Sequence, residues 1–313
     1  MSDTTASLRR KIATAGDLQS VVRTMKALAA SSIGQYEQSV RALADYYRTV
    51  QLGLGACFRA DEPGSSSSEQ NGRSARNAVG AVVFGSDQGL VGQFNEVVAD
   101  FAMETLAALP GESQVWAVGK RVHAHLVDAG APPTKVFAVP NSVSTIGPLV
   151  GEILVETQTH PSAVAVAELH LFYNRATPGK GSGSIYAPVT QRLLPLHEGW
   201  RRELLEVPWP TARPPEILGG DIATLRALIR EYLFISLFRA CAESLASENA
   251  SRLLAMQRAD KNIDELLEEL NGSFHRLRQT SIDEELFDVI SGVEALSKGR
   301  APKTTDARRG DTS

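Results

Sequence analysis

Proline is absent from two long stretches of this sequence. None of the 15 prolines falls within residues 7–58 or residues 221–301. Proline in a helix interior removes a backbone hydrogen bond and clashes with the preceding turn. Its absence therefore permits one long uninterrupted helix at each end of the chain.

Other features are also scarce, and each absence excludes a class of function. Cys57 and Cys241 are the only cysteines, and neither lies at metal-ligand spacing from another cysteine or a histidine, so the sequence predicts reduced thiols and no metal site. No apolar run approaches the ~18 residues that would span a bilayer. A net charge of −4 gives no general attraction to nucleic acid or anionic lipid. No nucleophile, base or cofactor motif stands out, so we predict neither catalysis nor a cofactor.

Apolar or small residues in both proline-free stretches follow coiled-coil spacing. In the first stretch they are Leu18, Val22, Met25, Ala29, Ser32, Tyr36, Val40, Leu43, Tyr47, Val50 and Leu54. In the second they form two runs, Ile263, Leu267, Leu270, Phe274 and Leu277, then Ile282, Leu286, Val289, Val293 and Leu296. The chain must return to its start, so the two helices are expected to pair antiparallel. The second helix is the longer by about 25 residues, which are left without a partner.

Between the two helices, the hydrophobic pattern is that of strands alternating with helices. Short runs rich in β-branched residues, such as AVGAVVF and KVFAV, alternate with segments of helical spacing. This pattern predicts a small α/β domain whose last two strands form an antiparallel pair. The predicted organisation is an N-terminal helix at 1–58, a flexible linker at 59–77, the α/β domain at 78–208, a proline-rich linker at 209–220, a C-terminal helix at 221–297 and a disordered tail at 298–313.

Two glycine-rich segments resemble phosphate-binding loops only superficially. Gly85–Asn95 follows a predicted strand and precedes a helix, but it lacks the Lys-Ser/Thr of a P-loop and the glycine spacing of a dinucleotide-binding turn. Lys180 is followed by glycine and a predicted strand. We interpret the first segment as a tight strand-to-helix turn and the second as a hairpin loop.

Several segments form recognisable motifs in a fixed order. They are TMKALAAS at 24–31, SDQGLVG at 86–92 with Asn95, LLPL at 193–196, and ESLASENASR at 243–252 followed by Ala255-Met256. Farther along stand Asn262, Arg278-Gln279, Ile282, Glu285-Leu286, Ile290 and Gly292. Together these segments resemble the conserved motifs of the γ subunits of F-type ATP synthases across nearly the whole chain.

The resemblance implies a fold and a function. The implied fold is a long antiparallel coiled coil of the N- and C-terminal helices with an inserted small α/β (Rossmann-like) domain. The implied function is the central rotor shaft of an ATP synthase at the cytoplasmic face of a bacterial membrane, with the α and β subunits, the ε subunit and the membrane c-ring as partners. The shaft itself is expected to be non-catalytic and to act through its asymmetry.

The resemblance also assigns partner contacts to particular residues. Arg278 and Gln279 would touch a β-subunit loop near the end of the coiled coil, and Asp283 stands where the family usually has threonine. Arg23, Met25, Lys26 and, on the opposite helix, Arg252 would meet the β-subunit lever.

Departures from the family pattern leave alternatives open. Residues 32–37 are nearly neutral where the family is arginine-rich, and the linker at 59–77 is longer than usual. They indicate a divergent member, with the alternate sodium-translocating branch as one candidate. Two rival interpretations are a coiled-coil docking protein with an inserted α/β domain, which would not bind α and β subunits, and an enzyme that binds a nucleotide in its α/β domain.

Overall fold

A computed structural model describes residues 4–60, 78–159, 166–177, 185–211, 213, 215–216 and 221–298. The predicted disordered tail beyond Lys298, the Lys180 loop, most of the linker at 59–77 and half of the linker at 209–220 lie outside the described residues. The described chain forms two compact units, one spanning Thr24–Gln257 and the other combining the chain before Thr24 with the chain after Gln257.

The described structure consists of two long helices, several shorter helices and a five-stranded sheet. The helices are α1 (Thr5–Ala60), α2 (Phe94–Ala107), α3 (Lys120–Asp128), α4 (Ile146–Thr159), α5 (Glu198–Glu206) and α6 (Asp221–Lys298), with a 3₁₀ turn at Val143–Thr145. The strands are β1 (Ala78–Phe84), β2 (Glu112–Val118), β3 (Lys135–Phe137), β4 (Val166–Ala176) and β5 (Tyr186–Leu194). None of the described helices has an apolar segment long enough to cross a membrane.

The sheet has the order β3-β2-β1-β4-β5. The first four strands are parallel, and β5 returns antiparallel to β4, which confirms the predicted antiparallel pair. Because side chains alternate across a strand, β1 supplies both faces of the sheet. Val82 and Phe84 belong to a core shared with α1, α4, α5 and α6, whereas Ala81 and Val83 belong to a second core under α2 and α3.

The paired helices are antiparallel in each unit. In the unit that contains the sheet, the Tyr46 hydroxyl donates to Glu231 over 2.8 Å, and Leu228 lies 3.1 Å from the Cβ position of Gly53. In the other unit, Arg9 lies 5.2 Å from the centre of the Phe274 ring, and Arg23 contacts Asp260. Residue numbers rise along α1 as they fall along α6, so the predicted fold class is confirmed.

Three details differ from the sequence-based expectation. The side chain of Leu18, assigned to the seam, is 55% exposed, while Ala15 is buried because the steps of three and four pass through Ala15, Gln19 and Val22. Helix α1 continues to Ala60, two residues into the predicted linker. Helix α5 was not predicted, since its nine residues include only three large apolar side chains.

Candidate partner-contact surfaces

The last described turns of α6 form an apolar surface that no described part of the chain covers. Every residue from 278 to 294 is exposed, and among them the apolar side chains of Ile282, Leu286, Phe287, Val289, Ile290 and Val293 are between 46% and 68% exposed. A contiguous exposed apolar surface is typical of an interaction site. The predicted contact residues Arg278, Gln279 and Asp283 all lie in this segment, which we call the bare tip.

Arg23 lies on the paired part of the same unit. Its Nε atom is 3.1 Å from Asp260 Oδ1 and its Nη2 atom is 3.7 Å from Asp264 Oδ1, and 58% of its side chain remains exposed. Gln19 also donates to Asp264. Arg23 therefore ties α1 to α6 while keeping much of its guanidinium accessible.

The remaining predicted contact residues lie in the unit that contains the sheet. Met25 and Lys26 are half-buried. Arg252 is more enclosed, with a side chain only 12% exposed, and its Nη2 atom lies 2.5 Å from Glu248 Oε1. Arg252 thus has an internal partner, and its contact with another subunit stays a prediction.

Glu248 and Arg252 border a polar cleft of about 200 Å³ whose lining includes Tyr36 and Asn141. Burial raises the pKa of Glu248; the charge of Arg252 opposes this rise and that of Asp87 adds to it. Within the described residues, Glu248 Oε2 and Arg252 Nε have no hydrogen-bond partner. Buried polar groups are normally satisfied by protein or by ordered water, so this cleft has the size and chemistry to hold water against the ion pair.

The glycine-containing turn at 85–95 is an internal joint. The Asn95 carboxamide accepts from the Ser86 amide at 2.8 Å and donates to Ser86 Oγ at 2.9 Å. The Asp87 carboxylate accepts from the amides of Lys120 at 2.9 Å and Val139 at 3.0 Å, and so connects the loops after β2 and β3 to the loop after β1. These side chains are engaged within the fold, as expected of a structural turn.

Close backbone approach explains two glycines at this joint. A Cβ on Gly85 would lie 2.4 Å from Val122 Cβ and 2.6 Å from Asn95 Oδ1. Gly119 has a φ of +116°, and a Cβ at this position would lie 2.8 Å from the Ser86 carbonyl oxygen. Both positions therefore exclude larger residues.

Directional bonds attach α6 to the end of β4 and to the loop after β1. Ser251 Oγ on α6 donates to the Val91 carbonyl at 2.6 Å. Glu243 on α6 accepts from Arg175 at the end of β4 and from Arg239 one helical turn away, both at 2.7 Å. Burial alone would raise the pKa of Glu243, but the two arginine hydrogen bonds outweigh it and lower the pKa below its ordinary value.

Sequence reasoning missed this second attachment. The Arg239–Glu243 spacing of four residues on a helix is a recognisable signal of an ion pair. The partner Arg175 has no sequence signal, because only the fold brings the end of β4 to α6.

Among the described residues, no group of three or more His, Cys, Asp or Glu side chains is placed to hold a metal ion.

Comparison with known sequences identifies the family. The sequence profile described as ATP synthase matches residues 4–296. The ATP synthase gamma chain of Clavibacter sepedonicus is 27% identical over 307 residues, which cover 93% of this chain and 97% of that protein. The gamma chain of Moorella thermoacetica is 26% identical over 306 residues, covering 92% and 98%.

Solved structures share the fold. A chain of the Euglena gracilis mitochondrial ATP synthase OSCP/F1/c-ring structure matches with a TM-score of 0.63 and 18% identity, covering 97% of this chain and 99% of that one. A chain of the Tetrahymena thermophila mitochondrial ATP synthase central stalk/c-ring structure matches with a TM-score of 0.53 and 20% identity, covering 76% and 99%. With the profile match over nearly all of its described residues and two gamma chains aligned along almost their whole length, this chain belongs to the gamma-chain family of ATP synthases.

Proposed function

We propose that this chain is the central rotor shaft of an F-type ATP synthase, which couples ion-driven rotation to ATP synthesis. The observation that carries the proposal is the 78-residue helix α6, whose bare tip exposes an apolar surface with no covering element from the described chain. An apolar surface of this kind is stabilised only when a partner excludes water from it.

The chemistry of the bare tip suits rotation inside a sleeve. Its exposed apolar side chains make non-directional contacts, whose energy depends on buried area and little on angle. Fixed hydrogen bonds would instead favour one orientation. A rotating shaft needs non-directional apolar contacts along its length. It needs directional contacts only where the partner must respond to one particular rotor angle.

The shaft acts by presenting a different face to each surrounding subunit. Each catalytic site is then held in a different conformation with a different nucleotide affinity. This is a coupling free energy between rotor angle and nucleotide binding, and it is reciprocal. Rotation drives the release of ATP, and hydrolysis drives rotation in reverse.

The proposed partners are the α and β subunits around the long helices, and the ε subunit and c-ring at the α/β domain. The chain itself is non-catalytic in this account. It works at the cytoplasmic face of a bacterial membrane and is held there through its partners. The related proteins named above are bacterial gamma chains, and one structural relative comes from an F1/c-ring assembly.

Angle-dependent contacts are assigned to particular residues on the shaft. We assign Arg278, Gln279 and Asp283 to the β-subunit loops around the bare tip, since all three are exposed. Arg23, Met25 and Lys26 are assigned to the β lever. Arg252 is a weaker candidate for direct contact because its side chain is 12% exposed and paired with Glu248.

Co-purification tests the proposal. The chain is expressed with the α and β subunits encoded in the same genome, and the complex is isolated through a tag on β. We expect this chain to co-purify in a complex that hydrolyses ATP, and the isolated chain to show no ATPase activity. Absence of the chain from the complex, or ATP hydrolysis by the chain alone, would contradict the proposal.

A matched pair of variants links the test to the bare tip. Phe287 is 68% exposed, and Asp288 beside it is also exposed. Phe287→Asp should weaken assembly with α and β, whereas Asp288→Ala should leave it unchanged. Equal assembly of the two variants would remove the tip from the interface.

A further inference from the structure

Helix α5 is attached to the end of α1 by one arginine. Arg59 Nε donates to the Leu205 carbonyl at 3.3 Å, and Nη2 donates to the carbonyls of Leu205 at 3.2 Å and Leu204 at 3.4 Å. Nη2 also donates to the carbonyl of Val207. These carbonyls lie at the C-terminal end of α5, where the last turns of a helix leave acceptors without helical donors.

The charge of Arg59 suits this position. The C-terminus of a helix carries partial negative charge, which a cation stabilises. A guanidinium has five N–H groups in a fixed fork, so it can serve several carbonyls at once. Arg59 thus joins the last turn of α1 to the last turn of α5, although about 145 residues separate them in the chain.

Side-chain packing brings α5 against both long helices. Leu204 is 3% exposed, and its carbonyl oxygen lies 2.6 Å from the Cβ position of Gly55 on α1. The guanidinium of Arg201 lies 4.9 Å from the centre of the Phe58 ring on α1. Trp200 packs on Tyr232 of α6 with ring centres 4.7 Å apart. Helix α5, which lies between β5 and α6 in the chain, therefore packs against the end of α1 and against α6.

The two kinds of contact resist different displacements. Apolar contacts resist separation of the packed elements, but they are non-directional and permit sliding. Hydrogen bonds depend on distance and angle, so they resist sliding. Torque acting between the α/β domain and the long helices is a sliding load, and the directional bonds of Arg59 are placed to bear it at α5.

From this geometry we infer that Arg59 is a positioning residue for energy coupling. It fixes α5 to α1, so that torque entering the α/β domain passes into the helix pair without sliding of α5 along α1. The inference rests on the proposed rotor function. An assembly of this chain with only the α and β subunits can hydrolyse ATP without transfer of torque from the α/β domain to the helix pair. Ion-driven ATP synthesis by the complete membrane-bound enzyme requires that transfer.

Three variants of the complete enzyme in membrane vesicles separate these roles. Arg59→Ala removes the hydrogen bonds. Arg59→Lys keeps the charge but lacks the planar fork. Gly55→Ala places a methyl group 2.6 Å from the Leu204 carbonyl oxygen and forces α5 away from α1 while Arg59 itself is kept. The control is Arg48→Ala, at an exposed position on the same helix.

We expect Arg59→Ala to hydrolyse ATP at the wild-type rate when detached from the membrane, and its ion-driven synthesis to fall by at least half. Arg59→Lys should be intermediate, Gly55→Ala should resemble Arg59→Ala, and Arg48→Ala should behave as wild type. Amide hydrogen exchange across Glu198–Glu206 in Arg59→Ala should accelerate by about fivefold, the factor for the loss of one net hydrogen bond.

The outcomes distinguish this inference from the proposed function. Wild-type synthesis by Arg59→Ala would overturn the inference and leave the rotor function intact. Failure of the unmodified chain to assemble or to support synthesis would overturn the rotor function itself. If Arg59→Ala does not assemble, the decision passes to Arg59→Lys, and wild-type synthesis by that variant would overturn the inference.

Discussion

The seam between the long helices differs in the two compact units. In the unit that contains the sheet, Tyr36, Val50 and Leu54 of α1 are each at most 5% exposed and belong to a core shared with the sheet. In the other unit only Leu8 and Ala15 are buried on α1. The α6 seam there is half-buried as far as Leu277 and exposed from 278 to 294.

This difference follows from what covers each helix. A two-helix seam buries only one stripe of each helix, whereas the sheet and α4 cover a second side. The chain therefore supplies its own core around the sheet, whereas its described residues leave the apolar side chains of the bare tip uncovered. Stability should depend mainly on the first unit, and assembly on the second.

A pair of leucine substitutions tests this division with the largest expected effect. Leu54 is fully buried and Leu286 is 56% exposed. Leu54→Ala should lower the free energy of unfolding by about 3 kcal/mol, because it leaves a cavity. Leu286→Ala should change it by less than about 0.5 kcal/mol. Urea unfolding of the isolated chain measures both, and equal losses would contradict the comparison.

The turn at 85–95 should be the next most sensitive point. Asn95→Ala removes both side-chain bonds to Ser86 and leaves the buried Ser86 amide without its acceptor, at a cost of about 2 kcal/mol. Gln93→Ala, two residues before Asn95 and exposed, is the control. Thermal unfolding should separate the two variants clearly; similar melting temperatures would show that the turn is not a structural joint.

Two carboxylates on α6 should respond to pH in opposite directions. The pKa of Glu248 is raised above its ordinary 4.5, so its contribution to stability is present at low pH and is lost as pH rises through the raised value. The pKa of Glu243 is lowered below 4.5, so its contribution is present above pH 4.5 and is lost as pH falls through the lowered value.

Difference profiles of variants isolate each carboxylate. The melting temperature of wild type minus that of Glu248→Gln should fall as pH rises above 4.5, and the same difference for Glu243→Gln should fall as pH drops below 4.5. If the two differences in melting temperature change in the same direction with pH, the pKa values of Glu248 and Glu243 are not shifted in opposite directions. Glu265→Gln, whose side chain is 64% exposed, serves as the surface reference.

Arg23 should have the smallest effect on stability. Its side chain is 58% exposed and paired with Asp260 and Asp264, and exposed ion pairs contribute only about 0–1 kcal/mol. Arg23→Ala should therefore leave the melting of the isolated chain almost unchanged while it reduces the turnover of the assembled complex. Unchanged turnover would remove Arg23 from the contact with the β lever.

The sequence was informative where the physical signal is periodic. Uninterrupted helical spacing and the absence of proline predicted α1 and α6, and alternation of strands with helices predicted the sheet and its antiparallel β4–β5 pair. Leu18 was misassigned because steps of three and four can start from neighbouring residues. The burial of Ala15 and the bond from Gln19 to Asp264 of α6 indicate where the seam lies.

Contacts between distant segments could not be predicted in the same way. Arg59 was assigned to a linker, since nothing near it in the sequence indicates that the carbonyls of α5 lie within reach. Arg252 was predicted to contact a partner, and the structure adds an internal bond to Glu248 that the four-residue spacing alone leaves ambiguous. The contact residues of the bare tip are exposed, but exposure does not identify what they touch.

Rotation of the assembled complex tests the central claim most directly. Val155 on α4 is 61% exposed, whereas Cys57 and Cys241 are 3% and 1% exposed, and burial raises the pKa of the Cys241 thiol. Because reactivity requires an accessible thiolate, Val155→Cys can carry the only bead on the chain. The ring of α and β subunits is fixed to a surface. If this chain is the rotor, the bead should rotate in one direction when ATP is added. A complex that hydrolyses ATP while the bead stays at one angle would contradict it.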